Sequence, residues 1–194
     1  MKQERSRRTR EIVLDAAAAE FSAHGYAHTT MNAVADRIGM TKGALYGHFT
    51  SKERLAEAII GHGESMWTST LTETAGRPPL PALGDLALEL ARRVHTDART
   101  RAAFRLVADE LAAGRERPNL LRDVRLHMTA LAQSAQDRGE MTDRYPAASI
   151  VELLLAMVFA VQSGTWPAIG IHPVPWLESI WRMLQDVLRV EQPA

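Results

Sequence analysis

The chain has 194 residues, no cysteine, and 23 Lys+Arg against 23 Asp+Glu. That length suits one ordinary domain or one with a satellite, and a 46% hydrophobic content can fill a core, which excludes wholesale disorder. Without cysteine there is no disulfide framework, thiolate zinc site or cysteine nucleophile. The neutral total argues against a nucleic-acid partner only if the charges are spread evenly, and they are not. Residues 1–54 carry nine basic and six acidic side chains, a net +3, which leaves −3 for residues 55–194. Arg5, Arg7, Arg8 and Arg10 crowd the start, and such asymmetry is a mark of a nucleic-acid-binding end. A solvated basic terminus and an arm reaching phosphates or the minor groove both fit these arginines.

No apolar run follows the basic start, so no secretory signal is expected. The most apolar stretch, Ile150–Val161, contains Glu152 and falls short of the roughly 20 residues a bilayer span requires. A cytoplasmic protein without a membrane contact is expected.

Helical spacing recurs from end to end. Ile12, Ala16 and Ala19 share a face, with Phe21 beside it, in a helix over about Arg5–His24 that Gly25 stops. Thr30 offers an N-cap for Met31–Ile38, which should bury Val34, Ala35 and Ile38 and end at Gly39. Thr41 caps Lys42–His48, which should bury Leu45 and Phe49. Ser51 caps a longer helix from Lys52 into the seventies. The breaker run Gly76-Arg77-Pro78-Pro79-Leu80-Pro81 marks a domain boundary. Helices follow near Pro81–Asp97, Arg99–Ala113 and Pro118–Arg138. Then Ile150, Leu153, Leu154, Met157, Val158 and Val161 keep helical spacing. After Pro167–Pro175, a last helix carries Leu177, Ile180, Trp181, Leu184, Val187 and Leu188. Eight or nine helices and no strand pattern predict an all-α fold.

Helix, tight turn at Gly39-Met40-Thr41, and second helix have the layout of a helix-turn-helix. In such motifs the N-terminal end of the second helix enters the major groove, here Thr41, Lys42, Gly43 and Ala44. Small Gly43 and Ala44 admit a close approach to bases or thymine methyls, and Lys42 can donate to guanine or phosphate. Taken alone, Phe49 reads as core, Tyr46 as surface and His48 as an ordinary surface histidine.

The stretch from Thr29 to Leu55, with Arg10, Ile12, Ala16, Ala17, Phe21 and Gly25 ahead of it, resembles the DNA-binding signature of the TetR (tetracycline-repressor) family. The resemblance covers the first 55 to 60 residues. It implies a homodimeric repressor with a three-helix DNA-binding domain over 1–55, a connecting helix over about 52–75, and a helical effector-binding and dimerisation domain over 76–194. It places Thr30, Tyr46, His48 and Lys52 on phosphates and Thr41, Lys42 and Gly43 on bases of a palindromic operator, with Arg5 and Arg8 as further contacts. Gly47 departs from the pattern, which often has a bulky residue there. The last two helices, about Ala147–Val161 and Trp176–Val190, would form the dimer interface. A pocket for an unknown small-molecule effector would lie among Phe104, His127, Met128, Leu131, Met157, Gln162 and Trp166. Arg101, Phe104, Arg105 and Leu106 also resemble the butyrolactone-receptor branch. The tryptophan of that branch's next helix is absent, with Leu121, Val124 or Arg125 in the candidate positions, so the effector class stays open.

No cofactor or metal is expected, since the histidines at 24, 28, 48, 62, 95, 127 and 172 are scattered. The sequence has no HExxH, GxSxG or phosphate loop, so catalysis is not expected. An activator, or a DNA-binding protein of this fold without an effector, is the alternative reading.

Overall fold

A computed structural model describes residues 2–114, 120–160 and 172–189, which form nine helices and no strand among them. In chain order they are α1 (Lys2–His28), α2 (Met31–Arg37), α3 (Lys42–His48), α4 (Lys52–Thr74), α5 (Pro79–Thr96), α6 (Ala98–Ala112), α7 (Leu120–Asp137), α8 (Ala147–Ala160) and α9 (Pro173–Leu188). Two compact units divide the chain, residues 1–66 with 97–121, and residues 67–96 with 122–194. The first holds α1–α3, the start of α4, and α6; α4 continues without a break into the second.

In the first unit α1 packs along α6. Its core face is Val13, Leu14, Ala17, Ala18 and Phe21, all buried. Ile12, expected on that face, is 46% exposed. The apolar spacing fits two overlapping stripes, and the one carrying Val13, Ala17 and Phe21 offers more volume to bury, so it turns inward. Gly25 takes φ 71, which ends the regular helix at the expected residue. Glu20, nearly buried, accepts from Arg37 Nε at 2.8 Å and ties α1 to α2. Asp97 caps α6, accepting from the Arg99 amide at 3.0 Å and from Thr100 Oγ1 at 2.6 Å. Arg99 then reaches back to α1, donating to Asp15 Oδ1 at 2.7 Å and to Glu11 Oε2 at 2.6 Å.

In the second unit α5 is the central element, with Leu83, Leu86, Leu90 and Val94 fully buried, and α8 and α9 pack against it. A Cβ added to Gly84 would collide with the Trp181 indole of α9, so only glycine permits this crossing. The amide of Thr142 donates to the carbonyl of Leu188 at 2.7 Å, which fixes the end of α9 against the turn after α7. On the outer sides of α8 and α9, Leu153, Met183 and Val187 are more than half exposed.

Candidate nucleic-acid interface

Each motif helix begins where a threonine can substitute for missing backbone partners. The amide of Ala33 donates to Thr30 Oγ1 at 3.1 Å, and that of Ala44 to Thr41 Oγ1 at 3.3 Å. Between the helices, Gly39 adopts φ 64, and the amides of Ile38 and Met40 both donate to the carbonyl of Ala35. The chain therefore reverses in three residues. Ile38, at the end of α2, is only half-buried, since it already lies outside helical geometry.

Leu45, fully buried, and Phe49, 4% exposed, anchor α3 to the core. The opposite side is open: Thr41, Lys42, Gly43, Ala44, Tyr46 and Gly47 are exposed, and His48 is half-buried. The structure thus brings all the residues expected to read bases onto one surface. Lys42 Nζ stands 5.9 Å from the centre of the Tyr46 ring one turn along the helix. Thr30, at the start of α2, is exposed as well.

The basic start joins the same unit. Arg5, Arg7, Arg8 and Arg10 are exposed on the first turns of α1, which is helical from Lys2 onward. Arg7 pairs with Glu4 at 2.7 Å. The guanidinium of Arg10 lies 4.8 Å from the centre of the Phe49 ring, which places a cation beside the end of α3.

Lys52 has a role that spacing alone does not reveal. Its Nζ donates to the carbonyls of Tyr26 at 2.8 Å and Thr29 at 3.0 Å, and sits 4.3 Å from the centre of the Tyr26 ring. It therefore neutralises the carbonyl-rich end of α1 and joins it to the start of α4. The Tyr26 hydroxyl donates to Glu53 Oε1 at 2.8 Å, and the Tyr26 amide to Asp109 Oδ2 at 2.8 Å. Glu53 is held down to about 2, first by its own backbone amide at the helix start, then by Tyr26 and Ser51. The signal for Lys52 was available only in part: a lysine at a helix start suggests an anion outside, whereas its carbonyl partners lie 23 and 26 residues away.

The residues expected around an effector do not gather in one unit. Phe104 belongs to α6 of the first unit and is 2% exposed. Met128 on α7 is fully buried, Leu131 and Met157 are half-buried, and His127 is exposed, all in the second unit. The His127 ring meets Trp67 edge-on at 6.0 Å, and partial burial lowers its pKa from the usual histidine value. Gln162 and Trp166 lie outside the described residues. Among the described residues no group of three His, Asp or Glu side chains could hold a metal ion, and no helix is long and apolar enough to cross a membrane.

Residues 13–59, which span the core of α1, both motif helices and the start of α4, match the family described as bacterial regulatory proteins, tetR family. The chain belongs to the TetR family. This TetR-family chain is 30% identical over 162 residues to the A-factor receptor protein of Streptomyces griseus, covering 83% of this chain and 56% of that one. It is 29% identical over 160 residues to the transcriptional repressor BepR of Brucella suis, covering 77% of each. Among solved structures, CprB of Streptomyces coelicolor in complex with its operator superposes with a TM-score of 0.74 at 28% identity, over 96% of this chain and 90% of that one. Membership makes this a DNA-binding transcriptional regulator and not an enzyme.

Proposed function

We propose that the protein is a cytoplasmic homodimeric repressor that binds a palindromic operator and is released by a small-molecule effector. The observation that carries this reading is the leading surface of α3: capped by Thr41, anchored by Leu45 and Phe49, and open from Thr41 to Gly47. Thr41, Lys42, Gly43 and Ala44 read base edges in the major groove. Thr30, Tyr46 and His48 hold phosphates around them, and the basic helical start adds Arg5 and Arg8. Lys52 has spent two of its three donors on α1 carbonyls, so it offers a phosphate its remaining donor and its charge.

Dimerisation through α8 and α9 follows from the apolar side chains those helices leave outward, Leu153, Met183 and Val187. A contiguous apolar face of this kind marks a protein contact. A two-fold pair also gives two recognition helices for the two halves of a palindrome. In functional terms residues 1–55 bind DNA and residues 76–194 dimerise and take the effector, with Phe104, His127, Met128, Leu131, Met157, Gln162 and Trp166 as the lining. The relatives support this division of labour: one is an A-factor receptor, one a repressor, and one a structure with operator DNA.

Release operates by population shift. The free dimer favours the separation of recognition helices that fits the operator, and the effector binds a form with another separation. A coupling of about 1–3 kcal/mol gives a 5- to 150-fold loss of DNA affinity. The lever is α4, which runs unbroken from Lys52 to Thr74. The test is a binding selection in which the full chain enriches duplexes from a randomised library. A palindromic consensus is expected, and recovery of no consensus refutes the reading.

A further inference from the structure

α3 has seven residues, and two of them, Gly43 and Gly47, are glycines. Glycine weakens an exposed helix several-fold relative to alanine, so it stays where something requires the missing side chain. Nothing inside this protein does so at either position. A Cβ built on Gly43 or Gly47 meets no atom within 4 Å, and neither residue is among the glycines with positive φ.

Their direction is set by Leu45, which points into the core. At about 100° per residue, positions two before and two after Leu45 lie on the far side of the helix. Gly43 and Gly47 therefore form the outermost line of α3, one turn apart. Lys42 and Tyr46 flank that line on one side, Ala44 and His48 on the other. A helix with its side chains is about 10–12 Å across and the major groove about 12 Å wide, so side chains on the leading line decide how deeply the helix seats. Gly43 is already part of the base-reading end. Gly47 is not.

We infer that Gly47 is a specificity-determining position: its bare backbone lets the middle of α3 lie against the base edges of the operator, and a side chain there would hold the helix off. With the helix seated, Lys42 and Tyr46 reach the duplex from one flank and His48 from the other. The inference rests on the reading of α3 as the recognition helix.

The test uses the full chain, a duplex recovered by binding selection with the unsubstituted protein, and the variant Gly47→Ala. Two quantities are read, thermal stability without DNA and affinity for that duplex across a range of salt. The variant is expected to melt about 2 °C higher, as a better helix former should in a chain of this size. It should bind at least about tenfold more weakly, the scale of one lost base-pair contact, with an unchanged salt slope because no phosphate contact is removed. Equal or tighter binding overturns the inference, since no duplex then approaches position 47. A lower melting temperature overturns it too, because the protein itself would then require glycine there. If the unsubstituted protein enriches no duplex, the DNA-binding reading falls and this inference with it. That failure is distinct, since it appears before any variant is made.

Discussion

Lys52 joins two helices of the DNA-binding unit, and its replacement by methionine separates bracing from DNA contact. Methionine keeps most of the aliphatic stem but removes the charged donor. The structure shows three interactions lost at once: hydrogen bonds to the carbonyls of Tyr26 and Thr29, at 2.8 and 3.0 Å, and the cation over the Tyr26 ring at 4.3 Å. A hydrogen bond to a charged group contributes about 1.5–3 kcal/mol when its partner is left dry. Here the site is only part-buried and water can reach the carbonyls, so about 1 kcal/mol per bond is the better figure. The ring contact adds roughly 0.5–1 kcal/mol. Lys52→Met should therefore cost about 2–3 kcal/mol, which for a chain of this length lowers Tm by about 5–10 °C. Calorimetry or thermal circular dichroism reads that shift. The same variant titrated against a selected duplex at several salt concentrations should lose about one unit of salt slope if the remaining donor holds a phosphate. An unchanged Tm would refute the bracing role, and an unchanged slope beside a lowered Tm would leave Lys52 purely structural.

Lys42→Ala should weaken operator binding by about 1–3 kcal/mol with little change in Tm, because Lys42 is exposed and touches only the Tyr46 ring; equal affinity in a mobility-shift titration would remove it from the base-reading set. Gly84→Ala should destabilise the fold by about 1–3 kcal/mol in urea unfolding, since its Cβ would collide with Trp181. An unaltered midpoint would mean that α9 yields without cost. Stability should also fall as pH drops below about 4. Glu11 is held low by its hydrogen bond from Arg99. Asp97, which burial alone would raise, is held low by Thr100 and His62. Carboxyls depressed in the folded state stabilise it fully above their unfolded values, and they lose that contribution as pH falls toward the folded ones. A urea midpoint equal at about pH 6 and pH 3 would contradict this.

The motif was legible because its determinants are local. Thr30 and Thr41 cap the helices that follow them, Gly39 turns between them, and Leu45 and Phe49 face inward at helical spacing. Each of these is decided within about four residues. Helix bounds elsewhere came out close for the same reason. Interactions between distant segments left no trace in spacing. Arg99 meets Glu11 and Asp15 across 88 and 84 residues, and Asp109 receives the Tyr26 amide across 83. Ile12 was placed inward because two stripes of α1 are apolar, and only the packing of α6 decides which is covered. The duplicity of Lys52 has the same origin: its charge is visible in the sequence, but the carbonyls that claim it are not.

The most direct test of the account is a hydroxyl-radical footprint of the full chain on its selected duplex. Two recognition helices related by a two-fold axis should protect two patches on one face, centred about 34–36 Å apart, roughly one helical turn. Protection should weaken at both patches together with Lys42→Ala. A single patch, or two patches that Lys42→Ala leaves unchanged, would contradict the claim that paired copies of α3 read the operator.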